Sequence, residues 1–181
     1  MNATEFDEVA VLAPAVTMIE TRGGGRYLVR AAEPADEALL AAFFDRVTAE
    51  DRRFRFLCAQ DHVGHEQLAP LVETDHFRAE SFLAFDGEGQ LAAAAMLACD
   101  NPFDTAEVAV SVRADKRGQG LGWAMLDLVS AQAGKRGVRR VISIENRENH
   151  AAIELEREKG FVARAIEGDP GLVLLEKMLR S

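Results

Sequence analysis

The stretch "VRADKRGQGLGWAML", residues 112–126, places Gly118, Gly120 and Gly122 at alternate positions behind Lys116 and Arg117, then runs on as an amphipathic helix. Inside a helix each glycine costs up to about 1 kcal/mol against alanine. Glycines concentrated at a helix start therefore point to a backbone that something approaches closely. Upstream, "AEVAVSVRA" (106–114) reads as a strand with Val108, Val110 and Val112 on one face and Glu107, Ala109 and Ser111 on the other. Downstream, Leu121, Ala124, Met125, Leu128 and Val129 form one apolar helical stripe, and "VRRVISIE" (138–145) reads as the next strand. Strand, helix, strand is a βαβ unit, so the strand around Glu107–Arg113 is expected parallel to, and beside, the strand at 138–145. A glycine-rich turn entering a helix N-terminus presents unpaired N–H groups and the positive end of the helix dipole, which together attract an anion, phosphate above all. A P-loop pattern is absent, and a dinucleotide fingerprint would need a small residue where Trp123 stands. Taken alone, the glycines also allow a turn without a ligand.

Further out, "ESFLAFDGEGQLAAAAMLA" (80–98) shows two apolar runs joined by turn residues, and with the run at 106–112 it predicts an antiparallel meander. "RYLVRAA" (26–32) predicts a strand, "EPADEALLAAFFDRV" (33–47) a helix with Pro34 in its first turn, and "AEDRRFRFL" (49–57) a second helix. Residues 64–74 read as helical or irregular. "TRGGGR" (21–26) reads as a connector or hairpin turn after an N-terminal extension. His62, His65 and His76 lack a convergent set of carboxylates or thiols and are read as surface or packing residues, so no metal site is expected.

At 181 residues and 48% hydrophobic content, the chain is sized for one compact domain. Its net charge of −9 argues against a general nucleic-acid binder, which needs a basic face. Cys58 and Cys99 stand in apolar surroundings without CxxC spacing and read as reduced core thiols. The acidic start "MNATEFDEVA" is unlike a secretory signal, and no apolar run approaches the ~20 residues a membrane span needs. A cytoplasmic location is the resulting default, with no membrane partner.

A second marker follows at "NRENHAAIELEREKGF" (146–161), where Asn149 can cap a short helix and Gly160 can end it. With "RGQGLG" (117–122), this pair resembles the GNAT acyl-CoA N-acyltransferase superfamily. The segments "FRFL", "ETDHFRAESFLAF", "AEVAVSV" and "RENHAAIELEREKGF" are most similar to the acetyltransferase domain of Pat-type protein lysine acetyltransferases, here without an attached nucleotide-binding or ligase-like domain. The resemblance implies an α/β (α+β) fold: a central mixed, mostly antiparallel twisted sheet flanked by helices, with a splayed parallel strand pair holding acyl-CoA. It covers 26–181, leaving 1–25 as an extension. It also implies that backbone amides from Gln119 through Gly120, Leu121 and Gly122 to Trp123, with Arg117 and Gly118 shaping the turn, hold the pyrophosphate of acetyl-CoA. Val110, Ser111 and Val112 would pair with the pantetheine arm as an added strand would. Asn149 would face the same arm, cap its helix, or do both.

The implied chemistry moves an acetyl group from a thioester to a primary amine, with a protein lysine as one acceptor class, and an amine with a pKa of ~10 must first lose a proton. Glu107 matches the glutamate that resembling lysine acetyltransferases use as the base; a solvated strand-end charge is its other reading. Glu156 stands where many relatives carry a tyrosine that protonates the departing thiolate, and Pat-type relatives also lack that tyrosine. A glutamate there needs a raised pKa to act as an acid. The overall charge and the acids Glu80, Asp86, Asp100 and Asp104 favour a lysine or polyamine acceptor. A small amine acceptor (amino acid, polyamine or antibiotic) and a non-catalytic acyl-CoA sensor are the competing readings, and a homodimer is compatible with the sequence.

Overall fold

The computed structural model describes residues 16–57 and 61–179. In chain order these form β1 (Thr17–Glu20), β2 (Arg26–Ala31), α1 (Glu37–Asp45), α2 (Ala49–Phe56), α3 (His65–Val72), β3 (Ala79–Phe85), β4 (Leu91–Cys99) and β5 (Thr105–Val112). α4 (Leu121–Lys135), β6 (Arg140–Asn146), α5 (His150–Glu158), β7 (Val162–Ile166) and β8 (Asp169–Met178) complete the order. All eight strands lie in one sheet, ordered β1-β2-β3-β4-β5-β6-β8-β7. Every neighbouring pair is antiparallel except β5 and β6. The mixed, mostly antiparallel sheet and its single parallel pair are those expected from the sequence. The Cys58 thiol lies outside the described residues, and Cys99 is a free, half-buried thiol.

Local chemistry accounts for the element ends. α2 begins where Thr48 Oγ1 accepts the Asp51 N–H at 3.1 Å, a side-chain cap, and stops at Leu57, whose φ of 53° leaves the helical region. The β3–β4 turn closes on Asp86, whose Oδ1 accepts the backbone N–H groups of Glu88 and Gln90. "TRGGGR" forms a hairpin turn, with Thr21 and Gly25 exchanging backbone and side-chain hydrogen bonds, and β1 pairs with β2 before it. The sheet thus begins upstream of Arg26.

Two apolar layers cover the sheet. On one, Leu121, Met125, Leu126, Val129 and Ala133 of α4 pack against Ala84, Ala95, Leu97, Val108 and Val141 of the strands. On the other, Leu40, Phe43 and Phe44 of α1 meet Leu68, Leu71 and Val72 of α3 over Leu83 and Leu91. Phe82, Leu83 and Ala84 alternate between these clusters, as the period of two along a strand requires.

The feature that builds the site is where β5 and β6 part. Their ladder runs from Thr105 opposite Arg140 to Glu107 opposite Ile142, and there it ends, although β5 continues to Val112 and β6 to Asn146. From Val108 onward β5 is paired with β4. One edge of its backbone is thereby turned to a V-shaped opening.

Candidate active site

The opening is a cleft of about 860 Å3 between the diverging strands, floored by the glycine turn and α4 and walled by α2 and α5. At one end Arg113, the first residue past β5, anchors the chain. It is 3% exposed and donates to Asp86 at 2.9 Å, to Asp115 at 2.5 Å and to the Leu91 carbonyl at 3.0 Å. A single 3-10 turn, Ala114–Lys116, then leads into the glycines. Gly118 and Gly120 adopt φ of 70° and 81°, in the left-handed region that favours glycine. Gly120 is the N-cap of α4 and supplies no side-chain hydrogen bond, so the first amides of the helix are capped by no side chain of that residue. Thr21 and Arg22 from the β1–β2 turn close over it, leaving 3.5 Å between Thr21 Cβ and a Cβ placed on Gly120.

Cations gather at this end. Arg22, Lys116 and Arg117 line the cleft, and Arg117 Nη1 reaches Asp51 Oδ2 of α2 at 3.3 Å. Trp123 carries two cations over its ring, Arg22 at 3.4 Å from the centroid and Lys159, which is also paired with Asp127. Burial lowers the pKa of Lys159.

Carboxyl groups gather at the other end. Glu107 is exposed at the apex of the V, and among the described residues its carboxylate has no hydrogen bond or ion pair. Glu145 on β6 and Glu156 on α5 stand beside each other. Glu145 accepts from Asn149 Nδ2 at 2.8 Å and from Ser143 Oγ at 3.2 Å, whereas Glu156, 6% exposed, leaves its buried Oε2 without a partner. Burial, followed by the neighbouring Glu145 charge, pushes the pKa of Glu156 up to about 8, and burial also raises that of Glu145. The two buried carboxyls thus favour keeping a proton between them into the neutral range, with Glu156 the more strongly raised.

The structure brings most of the sequence-derived site residues onto one cleft. Val110, Ser111, Val112, Arg117, Gly118, Gly120, Gly122, Trp123 and Asn149 line it with Glu107 and Glu156. The Leu121 side chain instead enters the core at 1% exposure, and the Gln119 side chain turns back to donate to the Asp115 carbonyl at 2.9 Å. Asn149 is the N-cap: its Oδ1 accepts the Ala152 N–H at 3.4 Å while its Nδ2 serves Glu145.

The meander acids, expected to favour a cationic acceptor, lie away from the cleft and are already engaged. Glu80 is paired with Arg136, Asp86 with Arg113 and Asp104 with Arg139, while Asp100 Oδ1 accepts the Asp104 and Thr105 N–H groups. None of the four lines the cleft. His62, His65 and His76 face Asp45, Glu37 and Glu80 respectively, in separate surface pairs.

Arg22, Asp51, Arg55 and Glu145 line the cleft without having been singled out in the sequence. A signal existed for the α2 pair, since Asp51, Phe54 and Arg55 share one helix face at spacings of three and four. Nothing local marks Arg22 or Glu145; tertiary placement alone gives them to the site.

A strand edge left open where β5 and β6 part, a glycine-led helix start at one end and a cluster of carboxyl groups at the other fit an acyltransferase that takes its acyl group from acyl-CoA. Residues 44–161 match the Acetyltransferase (GNAT) family, and the chain belongs to that family. It is 26% identical over 160 residues to "Acetyltransferase PA5475" of Pseudomonas aeruginosa, covering 86% of each chain. Among solved structures it resembles the GNAT domain of S. lividans PAT, with a TM-score of 0.84, 25% identity, and 92% of this chain and 99% of that one covered. It shares its fold with the cAMP-binding acyltransferase from Mycobacterium smegmatis, at a TM-score of 0.63 and 20% identity over 93% of this chain and 48% of that one. Among the described residues no helix is long and apolar enough to cross a membrane.

Proposed function

We propose that this transferase moves the acetyl group of acetyl-CoA to a primary amine, with a lysine side chain as the acceptor class, in a cytoplasmic setting. The observation that carries the reading is the position of Glu107, an uncommitted carboxylate at the point where β5 and β6 part. The pyrophosphate lies on the amides of Gln119 to Trp123, and the pantetheine arm runs along Val110 to Val112 and brings the thioester towards Glu107.

Glu107 takes the ammonium proton, directly or through water, and the freed nitrogen lone pair attacks the thioester carbon. A C–N bond forms, the C–S bond breaks, and the thiolate of coenzyme A takes the proton held by Glu156, while the second proton that the nitrogen sheds on becoming an amide passes through solvent and restores Glu156. The raised pKa of Glu156 supports that second role, because only a protonated carboxyl can donate. Glu145, held by Asn149 and Ser143, is the charge that helps keep the proton there.

Incubation with acetyl-CoA and two acceptor sets, lysine-containing proteins and small amines, followed by mass spectrometry, tests the reading. A mass gain of one acetyl group on a lysine supports it. Acetylation of small amines alone moves the acceptor to that class, and tight acetyl-CoA binding with no acetylated product leaves a sensor.

A further inference from the structure

Arg55 is at odds with every other arginine that the fold covers. Arg30 donates to both oxygens of Asp36, Arg113 to Asp86 and Asp115, and Arg136 to Glu80. Arg55 is half-buried on the wall of the cleft, yet among the described residues its guanidinium has only the Met96 sulfur, at 3.9 Å, as a hydrogen-bond acceptor, and the Phe56 ring at 5.4 Å. Glu107 and Glu145 bear on it through their charges, but neither forms an ion pair with it. Desolvating a guanidinium without a carboxylate is costly, and a cation left so on a cleft wall is prepared for a partner the protein does not supply.

We infer that Arg55 is the seat of a carboxylate carried by the acceptor, so that the acceptor binds with its carboxylate on Arg55 and its amine toward Glu107. The inference deepens the transferase reading above and rests on it. A guanidinium presents parallel N–H donors that match a carboxylate in a two-point contact. The charges nearby select the kind of anion. Arg55 with Glu107 and Glu145 leaves this end of the cleft net negative, which turns away a simple anion but receives one that brings its own ammonium. Free amino acids satisfy that condition through their α-carboxylate. A lysine with an acidic neighbour satisfies it through a side chain. Arg55 therefore sets specificity, while Glu107 does chemistry.

The test compares matched acceptors in steady-state acetylation with acetyl-CoA saturating. One arm uses free amino acids against their amides; the other uses N-terminally blocked peptides whose single lysine is flanked by Asp or by Asn. Wild type is expected to favour the carboxylate member of one arm by about tenfold or more in kcat/KM, chiefly through the acceptor KM, and the arm that responds identifies the source. Arg55→Gln should erase the preference and Arg55→Lys should keep part of it, both with wild-type affinity for acetyl-CoA. Equal use of both members by wild type overturns the inference whether or not the variants fold. So does a preference that survives Arg55→Gln. A parallel calorimetric titration of the free amino acids into protein loaded with coenzyme A separates the two readings. Binding that depends on Arg55, with no amine acetylated, overturns the transferase reading and keeps the carboxylate seat.

Discussion

Glu156 shows how one residue's surroundings set its chemistry. A carboxyl group 6% exposed, beside a second carboxyl and with one oxygen unpartnered, holds its proton up to about pH 8. If that proton goes to the departing thiolate, kcat must fall as pH rises through about 8, where the acid form disappears. Glu145→Gln removes the charge that helps raise the pKa and leaves burial in place, so the basic limb should move to lower pH. Glu156→Gln should abolish that limb and lower kcat by ~10²-fold or more. Rate against pH for the three proteins checks this. A limb that stays in place in Glu145→Gln would separate the two carboxyls functionally, and a limb unchanged in Glu156→Gln would move the acid elsewhere.

At the scale of elements, the turn between β5 and α4 is the proposed seat of the pyrophosphate. Gly120 is in the left-handed region, and a side chain there meets Thr21 and Arg22 of the β1–β2 turn. Gly120→Val should lose acetyl-CoA binding in calorimetry, because a branched side chain there presses on Thr21 and Arg22 and a positive φ costs it about 1–2 kcal/mol, so the turn cannot keep its amides in place. Unchanged affinity would remove the anion site from this turn. The turn, its strand and its helix were legible in the sequence because each carries a local signal: glycines at alternate positions, period-two valines and an apolar stripe. β1 was not legible. Its four residues, mostly exposed, are too few to show a pattern, and "TRGGGR" reads alike as linker or hairpin until a partner strand is known. For the same reason Arg22 over Trp123 and Glu145 beside Glu156 were out of reach: each pair joins segments distant in the chain or on different elements. The meander acids misled for the opposite reason, since sequence displays charges but not the arginines that fold against them.

At the scale of the whole molecule, the carboxyl proposed as the acid weakens the fold at neutral and basic pH. The unfolded chain releases the Glu156 proton near 4.5, while the folded protein keeps it to about 8. Between those values the native state binds the extra proton, so this contribution to stability is complete below 4.5, declines as pH rises and is gone above 8. The decline is on the order of a few kcal/mol. Glu156→Gln should flatten that slope in denaturant titrations across the range and be the more stable protein at pH 8. A wild-type curve parallel to that of the variant would contradict the assignment of the proton. The central claim joins the two ends of the cleft: acetyl-CoA is held along β5 and at the glycine turn while Glu107, at the apex, activates the amine. The most direct test is the acetylation rate against pH for wild type and Glu107→Gln with acetyl-CoA saturating. The account predicts unchanged affinity for acetyl-CoA, a loss of ~10²-fold or more in turnover at neutral pH, and a variant-to-wild-type ratio that climbs as more amine arrives deprotonated. Parallel profiles, with the ratio fixed across pH, would contradict it.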